Sequence, residues 1–108
     1  MNFEELFEMV KEKFTQLDIS DMKEHLAYQF NIEGDAEGIF YVEAKEGKLY
    51  VEPYEYHDRD TLFTCKAETL QRIAEGHLDP IKAVSLKMLK VEGDIGKALK
   101  FKELLKKY

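Results

Sequence analysis

A single cysteine, Cys65, leaves no partner for a disulfide within the chain, and a lone thiol suits a reducing, cytoplasmic setting. No apolar run approaches the roughly 20 residues of a membrane-spanning helix. The opening stretch MNFEELFEMV is acidic and lacks the basic-then-apolar order of an export signal. Positive charge is not in excess: the net charge is −6, which argues against general nucleic-acid binding. Motifs for catalysis are equally scarce. His25, His57 and His77 lie far apart, with no H-x-x-x-H or C-x-x-C spacing for a metal. Gly93 and Gly96 open a helix pattern but lack the lysine and further glycines of a phosphate loop. Cys65 falls within a strand pattern, where a thiol is usually inert packing. These absences point away from an enzyme, and no cofactor or metal is expected. No repeat, low-complexity tract or linker divides the chain.

What is present is a composition that can fold. Hydrophobic residues make up 44% and charged residues 35% of 108, so residues 1–108 read as one domain around one core. The charge is uneven. From Pro80 onward, eight lysines face three acids, a net +5, which leaves −11 on residues 1–79. A lysine-rich helix end accounts for this most simply. A weak contact with an anionic membrane surface or an acidic head group is the functional alternative.

Phe3, Leu6, Phe7, Val10, Phe14 and Leu17 recur at helical spacing, so residues 2–17 predict an amphipathic helix capped by Asn2. From His25 the period changes to two. Leu26, Tyr28, Phe30 and Ile32 alternate with polar or small residues, and IFYVEA and KLYVEPY follow across turns at Gly34–Gly38 and Glu46-Gly47. This is a three-stranded antiparallel meander, with Pro53 ending the third strand or marking it as an edge. Residues 53–60, PYEYHDRD, form the densest polar cluster. Glu55, His57, Asp58 and Asp60 have metal or acid–base chemistry, but a solvated connection explains them as well, and Tyr54 and Tyr56 could flank a cavity opening. TLFTCK predicts a fourth strand and AETLQRIAEG a short helix stopped by Gly76.

The last third carries the clearest punctuation. Asp79-Pro80 is a helix start, an N-cap side chain followed by a ring that presets φ. Leu89 and Val91 alternate with charged neighbours as a fifth strand. Gly93-Asp94 is a break and a second N-cap. In the final helix, Ile95, Ala98, Leu99, Phe101, Leu104, Leu105 and Tyr108 spread over more than half the circumference, wider than the stripe needed to cover a sheet. Either the helix packs on two surfaces at once, a dimer contact included, or part of the arc faces a ligand or membrane. Lys97 and Lys102 inside the arc can snorkel.

The run formed by Gly76, Asp79, Pro80 and Ala83, then Leu89, Lys90, Val91, Gly93, Asp94, Gly96, Ala98, Leu99 and Lys100, resembles the C-terminal half of sterol-carrier-protein-type lipid-binding domains, and the spacing fits without a gap as far as Leu104. It departs from the family pattern at Lys87, where glycine is usual, at Met88, where lysine is usual, and near Val84 and Ser85, where bulky aromatics are usual. The resemblance implies an α/β fold of the α+β kind: a five-stranded, mostly antiparallel sheet covered on one face by helices, with an apolar tunnel between the layers. It also implies that the last strand joins the first ones by a crossover. The implied function is non-catalytic binding or transfer of a hydrophobic ligand: a sterol-like lipid, fatty acid, acyl-CoA or phospholipid. Candidate lining residues are Tyr28, Phe30, Tyr41 and Val51 from the sheet, and Leu70, Ile73, Ile81, Val84, Met88, Ile95 and Leu99 from the remainder. The alternative is an interaction or dimerisation module of the same fold whose core is filled by its own side chains.

Overall fold

The computed structural model describes residues 2–105; Tyr108, counted in the apolar arc above, lies outside them. Helix α1 (Phe3–Thr15) begins at Asn2, whose Oδ1 accepts from the Glu5 amide at 2.8 Å while Glu5 Oε1 accepts from the Asn2 amide at 3.1 Å. This reciprocal cap satisfies two amides that have no partner inside the helix. Strands β1 (Leu26–Glu33), β2 (Gly38–Lys45) and β3 (Lys48–Glu52) form the meander. Its last turn is tight, with Glu46 and Gly47 both at positive φ. Pro53 both ends β3 and follows an edge strand. Then come β4 (Thr61–Lys66), α2 (Ala67–Ala74), α3 (Pro80–Ser85), β5 (Leu89–Gly93) and α4 (Ile95–Leu105). The helix expected over residues 2–17 thus stops two residues early, although Leu17 still packs against the core.

The sheet order is β3-β2-β1-β4-β5, antiparallel throughout except where β1 and β4 run parallel. The expected topology needs a correction here. The strand that reaches the first ones by crossover is β4, and β5 pairs on its far side as an edge. The crossover itself is residues 53–60, which pass over the outward face of β2 and β1. The Tyr56 amide donates to Gln29 Oε1 at 3.0 Å, and Asp60 exchanges bonds with Ala27 on β1. This explains why β1 is buried on both faces.

The helices cover the other face. Tyr28, Phe30 and Ile32 of β1, Phe40 and Val42 of β2, Val51 of β3 and Phe63 of β4 point into that layer and are buried. Their rings form a row: Phe40 stacks on Phe30 at 4.9 Å, Phe30 on Phe63 at 5.0 Å, and Phe63 lies 5.1 Å from Phe101 of α4. Leu6, Phe7, Val10 and Phe14 of α1 close over β2 and β3, and the Phe14 ring meets Phe101 edge-on at 5.8 Å.

Candidate functional site

The layer is less complete over β4 and β5. There α3 and α4 stand apart, and an open apolar groove of about 360 Å³ lies between them. Its floor is Phe63 of β4 with Leu89 and Val91 of β5. One wall is Pro80, Ile81, Val84 and Ser85 of α3; the other is Ile95, Ala98, Leu99, Phe101 and Lys102 of α4. Ser85 and Lys102 are the polar side chains of this lining. The volume is at the lower end of small-molecule sites, about 300–1,000 Å³. A larger hollow of about 1140 Å³ lies on the outward sheet face, but Glu33, Glu37, Glu55, Lys90 and Glu92 line it, and their charge makes it a poor host for an apolar chain.

Local chemistry fixes the two walls. Asp79 Oδ1 accepts from the Ile81 amide at 2.8 Å, and Pro80 occupies the first helical position, so α3 starts where the sequence places it. It stops after six residues. The Met88 amide reaches back to the Ala83 carbonyl at 2.8 Å and the Lys87 amide to Val84 at 3.0 Å, the paired bonds of a Schellman turn. That turn needs a left-handed residue, and Lys87 supplies it at φ 61°. This is where the family pattern has glycine. On the other wall, Gly93 sits at φ 100°, and a Cβ there would stand 2.5 Å from the Asp60 carbonyl oxygen. Asp94 then caps α4, its Oδ1 accepting from the Lys97 amide at 3.0 Å.

A polar knot anchors the start of α4 to the sheet. Asp60 Oδ2 accepts from the Ala27 amide at 2.8 Å and Oδ1 pairs with Lys97 Nζ at 2.9 Å. The Tyr28 hydroxyl donates to the Lys97 carbonyl at 2.6 Å, and the Thr61 hydroxyl to the Asp94 carbonyl at 2.9 Å. Burial, reinforced by the Asp60 charge, raises the Tyr28 hydroxyl well above its usual pKa, so it stays a donor. The hydrogen bond to Asp60 raises Lys97 and keeps it charged.

The structure does not bring the eleven candidate residues together. Ile81, Val84, Ile95 and Leu99 line the groove. Tyr28 and Phe30 lie in the closed aromatic core, Tyr28 because its hydroxyl is committed to α4. Val51 is buried in the same core beneath α1, and Leu70 and Ile73 enter it from α2. Met88 faces a separate hollow with Thr69 and Arg72 of α2. Tyr41 is on the opposite sheet face, its ring 5.1 Å from Tyr56 of the crossover: odd and even residues of β2 alternate faces, and Phe40 and Val42 take the core side. The groove residues outside the eleven candidates are Phe63, Pro80, Ser85, Leu89, Val91, Ala98, Phe101 and Lys102. Phe63 could have been found from its period-two neighbours Thr61 and Cys65; Leu89, Val91, Ala98 and Phe101 needed the packing of α4 on β5.

Of the polar cluster at residues 53–60, Tyr56 and Asp60 are bound to the sheet, while Glu55, His57 and Asp58 are exposed. Asp60 faces inward in the knot, and Tyr56 donates to Glu43 Oε2 at 2.6 Å, an oxygen also contacted by His25 Nε2 at 2.6 Å. Partial burial raises Glu43, but the bonds from Tyr56 and His25 outweigh it and hold the carboxyl below its usual pKa. The same bond pushes the Tyr56 hydroxyl up to about 12. His25 therefore meets a carboxylate of β2, not those of the loop. Among the described residues no three His, Cys, Asp or Glu side chains are arranged to hold a metal. Burial pushes the Cys65 thiol up to about 12, so it stays protonated and unreactive.

Residues 3–106 match the model of the SCP-2 sterol transfer family. The chain belongs to that family. Solved SCP-2 folds superpose closely. The crystal structure of sterol carrier protein 2 like 2 from Aedes aegypti matches with a TM-score of 0.73 at 22% identity, over 93% of each chain. The solution structure of the palmitated form of that protein gives 0.73 at 21%, over 97% of this chain and 95% of the other. The stereoselective inverting sec-alkylsulfatase Pisa1 from Pseudomonas sp. matches with a TM-score of 0.78 at 21% identity over 89% of this chain, which spans 16% of that enzyme's length. At these identities the likeness is one of fold. The SCP-2 fold therefore occurs both as a near-complete chain and as a minor part of an enzyme. No curated protein matches the chain. Among the described residues no helix is long and apolar enough to cross a membrane.

Proposed function

We propose that residues 1–108 act as one SCP-2-type unit that binds and hands on a hydrophobic ligand without chemical change, and that the groove between α3 and α4 receives the ligand's apolar chain. The observation that carries this reading is the groove itself: a floor of Phe63, Leu89 and Val91, and walls whose large side chains are left half open to water. Each Å² of apolar surface removed from water is worth about 25 cal/mol. A bound chain would cover the exposed walls and its own surface together. Widening the groove toward a tunnel requires α3 or α4 to shift. Of the two, α3 is the shorter and lies outside the polar knot. Membership in a family named for sterol transfer supports the ligand class, and the palmitated relative supports an acyl chain. Sterols, fatty acids, acyl-CoAs and phospholipids remain the candidates. The cytoplasm suits the lone reduced thiol, and no cofactor is required.

Displacement of a fluorescent fatty acid tests the proposal. Saturable binding, with competition by at least one of these four classes, is expected. Absence of saturable binding to all four defeats it, and the wide arc of α4 should then be sought in a homodimer interface.

A further inference from the structure

The groove has a neighbour toward the C-terminal end of α4. Pro80 and Lys102, two of its lining residues, also line a second hollow of about 430 Å³. This hollow continues along α4 to Leu105 and reaches Ile73 and Ala74 of α2 and Leu78 of the α2–α3 connection, with Lys13 of α1 and Glu75 completing it. At the junction of the two spaces stands an ion pair, Lys102 Nζ to Asp79 Oδ2 at 3.4 Å. It joins the two walls of the groove, and it is a loose tie. It is longer than the 2.9 Å pair of Lys97 with Asp60. Lys97 and Lys100 fix α4 to Asp60 and Glu24. No other ion pair among the described residues involves α3 or its cap. Both partners of the junction pair are partly open to water, Lys102 by 31% and Asp79 by 49%, so parting them costs at most about fivefold in an equilibrium. The start of α3 survives the parting, because the other oxygen of Asp79, Oδ1, accepts from the Ile81 amide.

We infer that the Asp79–Lys102 pair is a latch between two parts of one ligand trough, and that it sets the class of ligand by chain length: a long single-chain amphiphile parts the latch and runs on into the second hollow, while a short one ends in the groove. Each methylene removed from water is worth about fourfold in affinity. One or two methylenes past the junction therefore offset the parting, and a chain that ends inside the groove has no such gain. The groove of about 360 Å³ and the hollow of about 430 Å³ together stay within the range of small-molecule sites, about 300–1,000 Å³. The inference rests on the carrier reading, and it supplies the shift of α3 that a wider groove requires, since the latch is the ion pair that holds α3 to α4.

Displacement of a fluorescent fatty acid by decanoate and by palmitate tests it. The two share a head group, so the ratio of their affinities reports the chain alone. Asp79→Asn keeps a capping oxygen for α3 and removes the charge that holds Lys102; Lys102→Gln removes the other partner. Each should raise the palmitate-to-decanoate ratio about two- to fivefold over wild type. Leu105→Trp adds bulk to the second hollow from the end of α4. It should lower the ratio at least about tenfold and leave decanoate within about twofold of wild type. Circular dichroism and the thermal midpoint establish that each variant is folded. A ratio unchanged in the two opening variants, or unchanged in folded Leu105→Trp, overturns the latch and leaves the carrier reading standing. No saturable binding of either chain to wild type defeats the carrier reading and the latch with it.

Discussion

The helical layer closes over the two halves of the sheet in different ways. Over β2 and β3, Leu6, Phe7, Val10 and Phe14 of α1 are all buried, and the phenylalanines mesh with the row led by Phe40 and Phe30. Over β4 and β5, Ile81, Val84, Ile95 and Leu99 keep 43–58% of their surface. Both regions are built from apolar residues at helical spacing. The difference lies in what each helix has to pack against. α1 presents one stripe to one surface. α4 spreads its apolar residues more widely; Phe101 and Leu104 serve the core, and Ile95 and Leu99 are left facing the groove. An apolar arc wider than the surface it covers leaves side chains free for a further contact, while a matched stripe is used up in the core.

The largest effect expected from breaking this contrast is at Phe30. Truncation to alanine should cost about 3–5 kcal/mol in denaturant unfolding, because the ring is fully buried between Phe40 and Phe63. Leu99→Ala on the open side should cost under about 1 kcal/mol, since the side chain is 51% exposed. Equal losses at the two sites would dissolve the distinction between them.

Next in size is the polar knot that fixes the boundary between the regions. Asp60→Ala strands the Ala27 amide and the Lys97 ammonium, and should cost about 1–3 kcal/mol in thermal or chemical unfolding. A loss no larger than that of an exposed surface acid such as Asp58→Ala would mean that the knot does not hold α4.

Lys87→Gly sharpens the comparison by relieving the open side. The residue sits at φ 61°, where a side chain costs roughly 1 kcal/mol or more, so glycine should raise stability by up to about 1 kcal/mol. Lower stability would show that the lysine side chain compensates for its backbone strain.

The smallest effect concerns the crossover on the outward face. Tyr56 has a folded pKa of about 12 against 10.0 when free. Its bond to Glu43 therefore adds stability in full below pH 10.0, and that contribution is lost as pH rises toward about 12. Comparing alkaline unfolding of wild type and Tyr56→Phe checks this: the gap between their stabilities should close over that range, and a constant gap would refute it.

Much of this was legible in the sequence. The caps at Asn2 and Asp79, the break at Gly93 and the period-two strands needed only local rules, because each is satisfied by neighbours a few residues away. Family-specific spacing from Gly76 to Lys100 added the fold. What stayed hidden depends on contacts between distant parts of the chain. Tyr28 reads as an inward aromatic, yet only the position of α4 shows that its hydroxyl is spoken for at Lys97. Asp60 reads as part of a polar loop, yet the crossover turns it inward onto Ala27 and Lys97. The facing of Tyr41 depended on a register that alternation alone leaves twofold ambiguous. Of the candidate site, Ile95 and Leu99 stood out because excess apolar width is visible on the last helix, while Ile81 and Val84 came with the family resemblance. The groove floor was not, because Leu89 and Val91 look like any inward strand residues.

The central claim is that the open half binds a ligand and the closed half bears the stability. Leu99→Asp tests it most directly, since a carboxylate facing an apolar chain is strongly disfavoured while a half-exposed site tolerates it in the free protein. Fluorescent fatty-acid binding and the denaturation midpoint should be measured on the same preparations of wild type and variant. The account predicts saturable binding by wild type, its loss in Leu99→Asp, and nearly equal midpoints. Undiminished binding by a folded Leu99→Asp would contradict it.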